Sequence, residues 1–75
     1  MNETKLIVKA LRKIIIKRMI RQYDLAKILG APTSTVNRWF KGKHDISPSW
    51  VSLIKANADI GTEVRLLMNE MSMKE

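Results

Sequence analysis

The sequence predicts an all-α fold, a compact bundle of about five short helices, and three observations carry that expectation. Apolar residues recur at three- and four-residue spacing through most of the chain, and no stretch shows the strict alternation of a strand. Turn-forming residues fall between those periodic stretches, at Gly30-Ala31-Pro32, at Gly42 and at Ser47-Pro48. Size supplies the third: 75 residues without a Cys make one domain, residues 1–75. It lies near the lower limit that an apolar core can stabilise without disulfide, metal or partner chain, so oligomerisation is expected.

Helix one is predicted from Thr4 to about Arg18, with Ile7, Leu11, Ile14, Ile15 and Met19 on its apolar face. Lys5, Lys9, Lys13 and Lys17 repeat on the other side, a stripe that faces either solvent or phosphate. No Gly or Asn near Met19-Ile20 marks its end, so the break before Gln22 is inferred from the next helix rather than from a stop signal. Helix two, Tyr23 to Leu29, carries Leu25, Ala26, Ile28 and Leu29 and is closed by Gly30 in a left-handed cap. Pro32 fits the first turn of helix three, where a missing N–H has no partner to lose. That helix runs to about Phe40 with Val36, Trp39 and Phe40 inward, and Gly42 ends it.

Lys41 to Asp45 form a polar loop. Ser47 then caps helix four with Pro48 at its first position, and Trp50, Leu53, Ile54 and Ala58 make its apolar face. Helix five starts at Thr62-Glu63 and shows Val64, Leu66, Leu67 and Met71. Residues 60–73 are a candidate dimerisation segment, in which Met68, Met71 and Met73 fit either a frayed tail or a dimer seam.

Charge narrows the function. The chain holds 14 Lys and Arg against 7 Asp and Glu, a net +7, and the excess is uneven. Residues 1–30 carry +6, residues 31–45 carry +2 and residues 46–75 carry −1. Such an asymmetry points to a polyanion, and nucleic acid is the commonest one. With no Cys and one His, thiol nucleophiles and zinc sites have no material. There is no phosphate-binding Gly-rich loop either, so neither an enzyme nor a cofactor is expected. The longest apolar run, Ile14-Ile15-Ile16, is far too short to span a bilayer, and a reducing cytoplasm or nucleoid is the expected location.

Two short helices joined through Gly-Ala-Pro are what a helix-turn-helix requires: one braces, and a small-residue turn lets the next leave steeply. The second helix then enters a major groove, with its N-terminal side chains on base edges and its amides toward phosphates. In that arrangement Thr33, Ser34 and Thr35 are expected to be polar because their turn would face DNA, whereas Val36 and Trp39 would anchor the opposite face.

Here the sequence resembles the Cro/CI-like (XRE-type) helix-turn-helix repressors of phages and bacteria. Gln22, Leu25-Ala26, Leu29-Gly30, Ser34-Thr35-Val36, Arg38-Trp39 and Gly42 stand in that family's order and spacing. The resemblance implies a lambda-repressor-like DNA-binding domain with its helix-turn-helix core at residues 22–40. Three positions depart from the pattern. Arg21 stands where members often have a Ser, Thr or Asn cap. Ile15 and Phe40 stand where many pair an Arg with a Glu, so a buried ion pair is expected to be exchanged for an apolar contact.

By position, the resemblance implies Thr33, Ser34, Asn37 and Arg38 as base readers, and Gln22, Thr35, Lys41, Lys43 and His44 as backbone contacts. Arg38 is the sharpest of these, because its planar fork can donate twice to guanine, while Asn37 suits adenine. The bland alternatives are a phosphate clamp or solvated residue for Arg38 and a helix cap for Gln22. The expected partners are a double-stranded operator and a second copy of the chain, in a homodimer that forms weakly off DNA. No membrane and no small-molecule ligand are expected. One rival is a protein-interaction module on the same fold, such as an antitoxin or a regulator of another repressor. Another is a cationic membrane-surface peptide, which leaves the Gly-Ala-Pro turn and both Trp residues unexplained.

Overall fold

The structure, a computed structural model, describes residues 2–73. In chain order its elements are α1 (Glu3–Arg18), α2 (Gln22–Leu29), α3 (Thr33–Lys41), α4 (Pro48–Lys55) and α5 (Gly61–Met73), with no strand among the described residues. Every helix sends at least one fully buried aliphatic side chain to a shared core: Ile7, Leu11 and Ile14, Leu25, Val36, Ile54 and Val64. α1 packs on α5, α2 on α3, and α4 on α5.

α1 begins a residue earlier than predicted because Asn2 caps it, its side-chain oxygen accepting from the Lys5 amide at 2.9 Å. Its end is unmarked in the sequence because the stop uses a residue that rarely serves as one. Met19 takes the left-handed conformation at φ 58°, and the Ile20 amide donates back to the Ile15 carbonyl at 3.0 Å. The Met19 side chain is therefore outside the helical face and 90% exposed, not apolar-face material as predicted. Ala10 is buried with Ile7, Leu11 and Ile14, while Ile15 is half-buried.

α2 starts at Gln22 without a side-chain cap, since an arginine side chain has no acceptor to offer. Asp24 compensates by accepting from the Arg21 amide at 3.0 Å, the return half of a capping box. Gly30 adopts the expected left-handed cap at φ 71°, and the Ala31 amide reaches the Ala26 carbonyl at 2.9 Å. Pro32 lies one position earlier than predicted, extended at φ −62°, ψ 141° as the residue before α3 rather than in its first turn. α3 runs through Lys41, so that residue belongs to the helix and not to the loop.

Ser47 and Pro48 open α4 as predicted, the Ser47 hydroxyl accepting from the Trp50 amide at 3.4 Å. The helix stops at Lys55, however, so Ala58 is in the following turn and exposed, and Leu53 is 57% exposed. Asn57 sets that turn: its side-chain oxygen accepts from the Asp59 and Ile60 amides, and its nitrogen donates to the Ile28 carbonyl at 3.0 Å. The chain thereby swings Ile60 into the core in place of Ala58 and Leu53. Gly61 opens α5 against the end of α4, where a Cβ would fall 2.5 Å from the Lys55 carbonyl oxygen.

α5 is helical from Gly61 through Met73 and so carries Met68, Met71 and Met73. Val64 is buried and Leu67, Met68 and Met71 pack half-buried against the core. Leu66, predicted inward, is 60% exposed because it lies about 200° around the helix from Val64. No helix among the described residues is long and apolar enough to cross a membrane.

Candidate nucleic-acid interface

The helical repeat divides the side chains of α3 between a polar and an apolar face. At about 100° per residue, Thr33, Ser34, Asn37, Arg38 and Lys41 fall within a sector of about 140°, while Val36, Trp39 and Phe40 occupy the other side. The burial pattern matches that division. Thr33, Ser34, Arg38 and Lys41 are exposed, Asn37 and Thr35 are half-buried, and Val36, Trp39 and Phe40 are buried. Among the described residues, no acidic side chain pairs with Arg38, Lys41 or Lys43. Lys43 and His44 are exposed in the loop after α3, beside the Arg38 edge: His44, Arg38 and Thr35 line one shallow cavity.

Three elements hold α3 in place. From α1, Arg12 donates to the Phe40 carbonyl at 2.6 Å, and its guanidinium lies 5.4 Å over the Phe40 ring. That carbonyl belongs to the last turn of α3, where no intrahelical amide is left to satisfy it. From α2, Gln22 accepts at its side-chain oxygen from the Asn37 side-chain nitrogen at 3.1 Å. From α4, Trp50 packs edge-on to Trp39 with ring centroids 5.7 Å apart.

Arg12 is the residue that sequence reasoning missed. Ile15, Phe40, Arg12 and Lys41 all line one cavity between α1 and the end of α3. A cation one turn earlier on α1 reaches the same helix end, using the ring and a carbonyl instead of a carboxylate. The available signal was the i, i+3 spacing of Arg12 and Ile15, which puts both on the face toward α3.

The predicted backbone residues fall in two groups. Gln22 and Lys41 sit at the α1–α2–α3 junction, where they share a cavity with Asn37. Thr35, Lys43 and His44 lie toward the loop before α4. Trp39 is buried and Trp50 half-buried in the edge-on pair that joins α3 to α4.

A brace helix, a glycine turn and a second helix with one polar, cation-bearing edge define a helix-turn-helix DNA-binding domain. A family model described as helix-turn-helix matches residues 8–54, more than half of the chain. The protein belongs to that family, as an XRE-type, Cro/CI-like member, and is a DNA-binding helix-turn-helix regulator. Comparison with curated proteins and with solved structures finds no match.

Proposed function

We propose that this protein is a Cro-like transcriptional repressor that reads an inverted-repeat operator as a homodimer, with α3 in the major groove. The observation that carries the reading is the polar edge of α3: Thr33, Ser34 and Arg38 stand exposed while buried Val36, Trp39 and Phe40 anchor the opposite face of the helix. Arg38 donates its fork to guanine O6 and N7, a pairing worth about 1–3 kcal/mol of discrimination. Thr33 and Ser34 add hydroxyl contacts at the N-terminal turn. Asn37 reads through its side-chain oxygen while its nitrogen stays on Gln22, which suits a base amino group such as adenine N6.

Gln22 contacts phosphate, and its bond to Asn37 supports the NH2 end of its amide for that role. With the oxygen engaged, the NH2 group is left to donate to a phosphate oxygen. Thr35, Lys41, Lys43 and His44 complete the backbone contacts, positioning the domain without reading sequence.

Dimerisation is assigned to α5. Leu66 and Met73 are seven residues apart, on one face opposite Val64, and are 60% and 78% exposed. Two exposed apolar side chains make a small seam, which fits a dimer that is weak in solution and completed on DNA. The Cα dimensions of 31 × 25 × 20 Å allow two abutting copies to set their α3 helices about 34 Å apart, one turn of B-DNA. A rival protein-interaction module would present an acidic or apolar edge at α3, and the described residues of that edge are basic and polar.

Selection from a random duplex pool tests the proposal. The expected result is an inverted repeat with half-site centres about 10–10.5 base pairs apart, one helical turn. Failure to enrich any sequence, with retained binding to a partner protein, would overturn it in favour of the interaction module.

A further inference from the structure

We propose that Lys5, Lys9 and Arg12 form a second DNA-backbone contact, a cationic ridge on α1 that engages phosphates beyond those met by α3 and its following loop. The proposal rests on the DNA-binding reading and extends its footprint to an element outside the helix-turn-helix pair.

The lysine repeat of α1 is not one stripe in space. Each four-residue step drifts about 40° around a helix, so Lys5 and Lys17 end about 120° apart. Lys17 accordingly turns toward α5, its Nζ 3.2 Å from Glu63 Oε2. Lys5 and Lys9, with Arg12 within about 60° of both, instead border a groove of about 600 Å³ between α1 and the loop after α3. Buried Trp39 and Phe40 line it as well.

The placement of acids sharpens the contrast. Glu3 pairs with Lys55, Asp59 with Arg18, and Glu63 with both Lys17 and Arg18. Asp24 is taken by the Arg21 amide. Among the described residues none pairs with Lys5, Lys9 or Arg12, and the groove's single acid is Asp45 on its rim. Lys5 and Lys9, together with the positive charge of Arg12 held on the Phe40 carbonyl, face one carboxylate and are complementary to a line of phosphates.

Continuity with the interface selects DNA as the occupant. His44 and Asp45 border this groove and also the neighbouring one formed by Thr35 and Arg38, so the ridge continues from the reading helix across the loop. A strand seated against His44 borders the groove that Lys5 and Lys9 line.

The test is the salt dependence of binding to a random-sequence duplex, measured for the full chain and for Lys5→Gln/Lys9→Gln. Each phosphate contact contributes about 0.9 to the slope of log K against log salt, so the double variant should be shallower by about 1.8. Between roughly 50 and 200 mM salt, that removes about twelvefold of the wild-type loss in affinity. Lys17→Gln, whose charge Glu63 already holds, should keep the wild-type slope, and so should Lys5→Arg/Lys9→Arg. Asp45→Asn should tighten binding. A double glutamine variant that melts like the wild type and keeps its slope overturns the ridge while leaving the α3 assignment standing. Absence of duplex binding by the wild type overturns the DNA reading itself, and the ridge with it.

Discussion

Replacing Arg12 by Met tests the brace between α1 and the reading helix. Methionine preserves much of the apolar stem and removes two interactions: the bond to the Phe40 carbonyl at 2.6 Å and the stacking at 5.4 Å over its ring. A hydrogen bond from a charged donor contributes about 1.5–3 kcal/mol and an exposed cation–π contact about 0.5–1 kcal/mol. Arg12 is exposed overall and its bond only partly buried, so solvent screening and shared geometry reduce the total. The expected loss is about 2 kcal/mol, a large fraction of the roughly 4–11 kcal/mol that a chain of this size holds. At about 4–8 °C per kcal/mol, the melting temperature should fall by roughly 8–16 °C. Thermal unfolding followed by the far-ultraviolet circular dichroism of the helices measures it directly. Arg12→Lys keeps a cation but loses the fork, and should recover only part of the loss. A Met variant that melts within a degree or two of the wild type would mean that water satisfies Phe40 as well as Arg12 does.

Four further outcomes rest on the same geometry. Arg38→Ala should relax preference at one base pair in each half-site, read by repeating the duplex selection; uniform weakening of all sequences instead would make Arg38 a phosphate contact. Lys43→Ala should weaken every sequence about equally and make the salt slope shallower by about 0.9. Gln22→Ala and Asn37→Ala should be non-additive in DNA affinity, with a coupling of about 0.5–3 kcal/mol in a double-mutant cycle, because each presents the other. Gly61→Ala should lower stability by about 1–3 kcal/mol in denaturant titration, since its Cβ would meet the Lys55 carbonyl oxygen at 2.5 Å and only backbone movement relieves that contact.

The features legible in the sequence depend on spacing within one element. The left-handed stop at Gly30, the Ser47-Pro48 start and the inward set Val36, Trp39 and Phe40 all come from residue type and helical period. The features that escaped depend on where the chain goes after an element ends. The helical period runs on past a stop that carries no glycine and so places Met19 on the apolar face, and no local signal shows that the turn set by Asn57 takes Ala58 out of α4. Arg12 escaped for a related reason. Its partners lie 28 residues away, and a carbonyl or a ring face leaves no charge signature in sequence as a Glu would.

The contacts that escaped are the ones that fix the reading helix in space. Arg12, Gln22 and Trp50 come from three different helices and meet α3 at Phe40, Asn37 and Trp39, all in its second half. The first turn, with Thr33 and Ser34, has no side-chain cap and stays open. α3 is thus a rod clamped at its C-terminal end and presented at its N-terminal end. Preorganisation of this kind lowers the ordering cost of binding without favouring any base. Loosening a clamp should then weaken good and poor operators by the same factor, whereas changing Arg38 should reorder them. Arg12→Met and Arg38→Ala, compared over one panel of duplexes at a temperature where both are folded, separate those effects. A reordered panel for Arg12→Met would show that the clamp sets the angle of entry, and so participates in reading sequence.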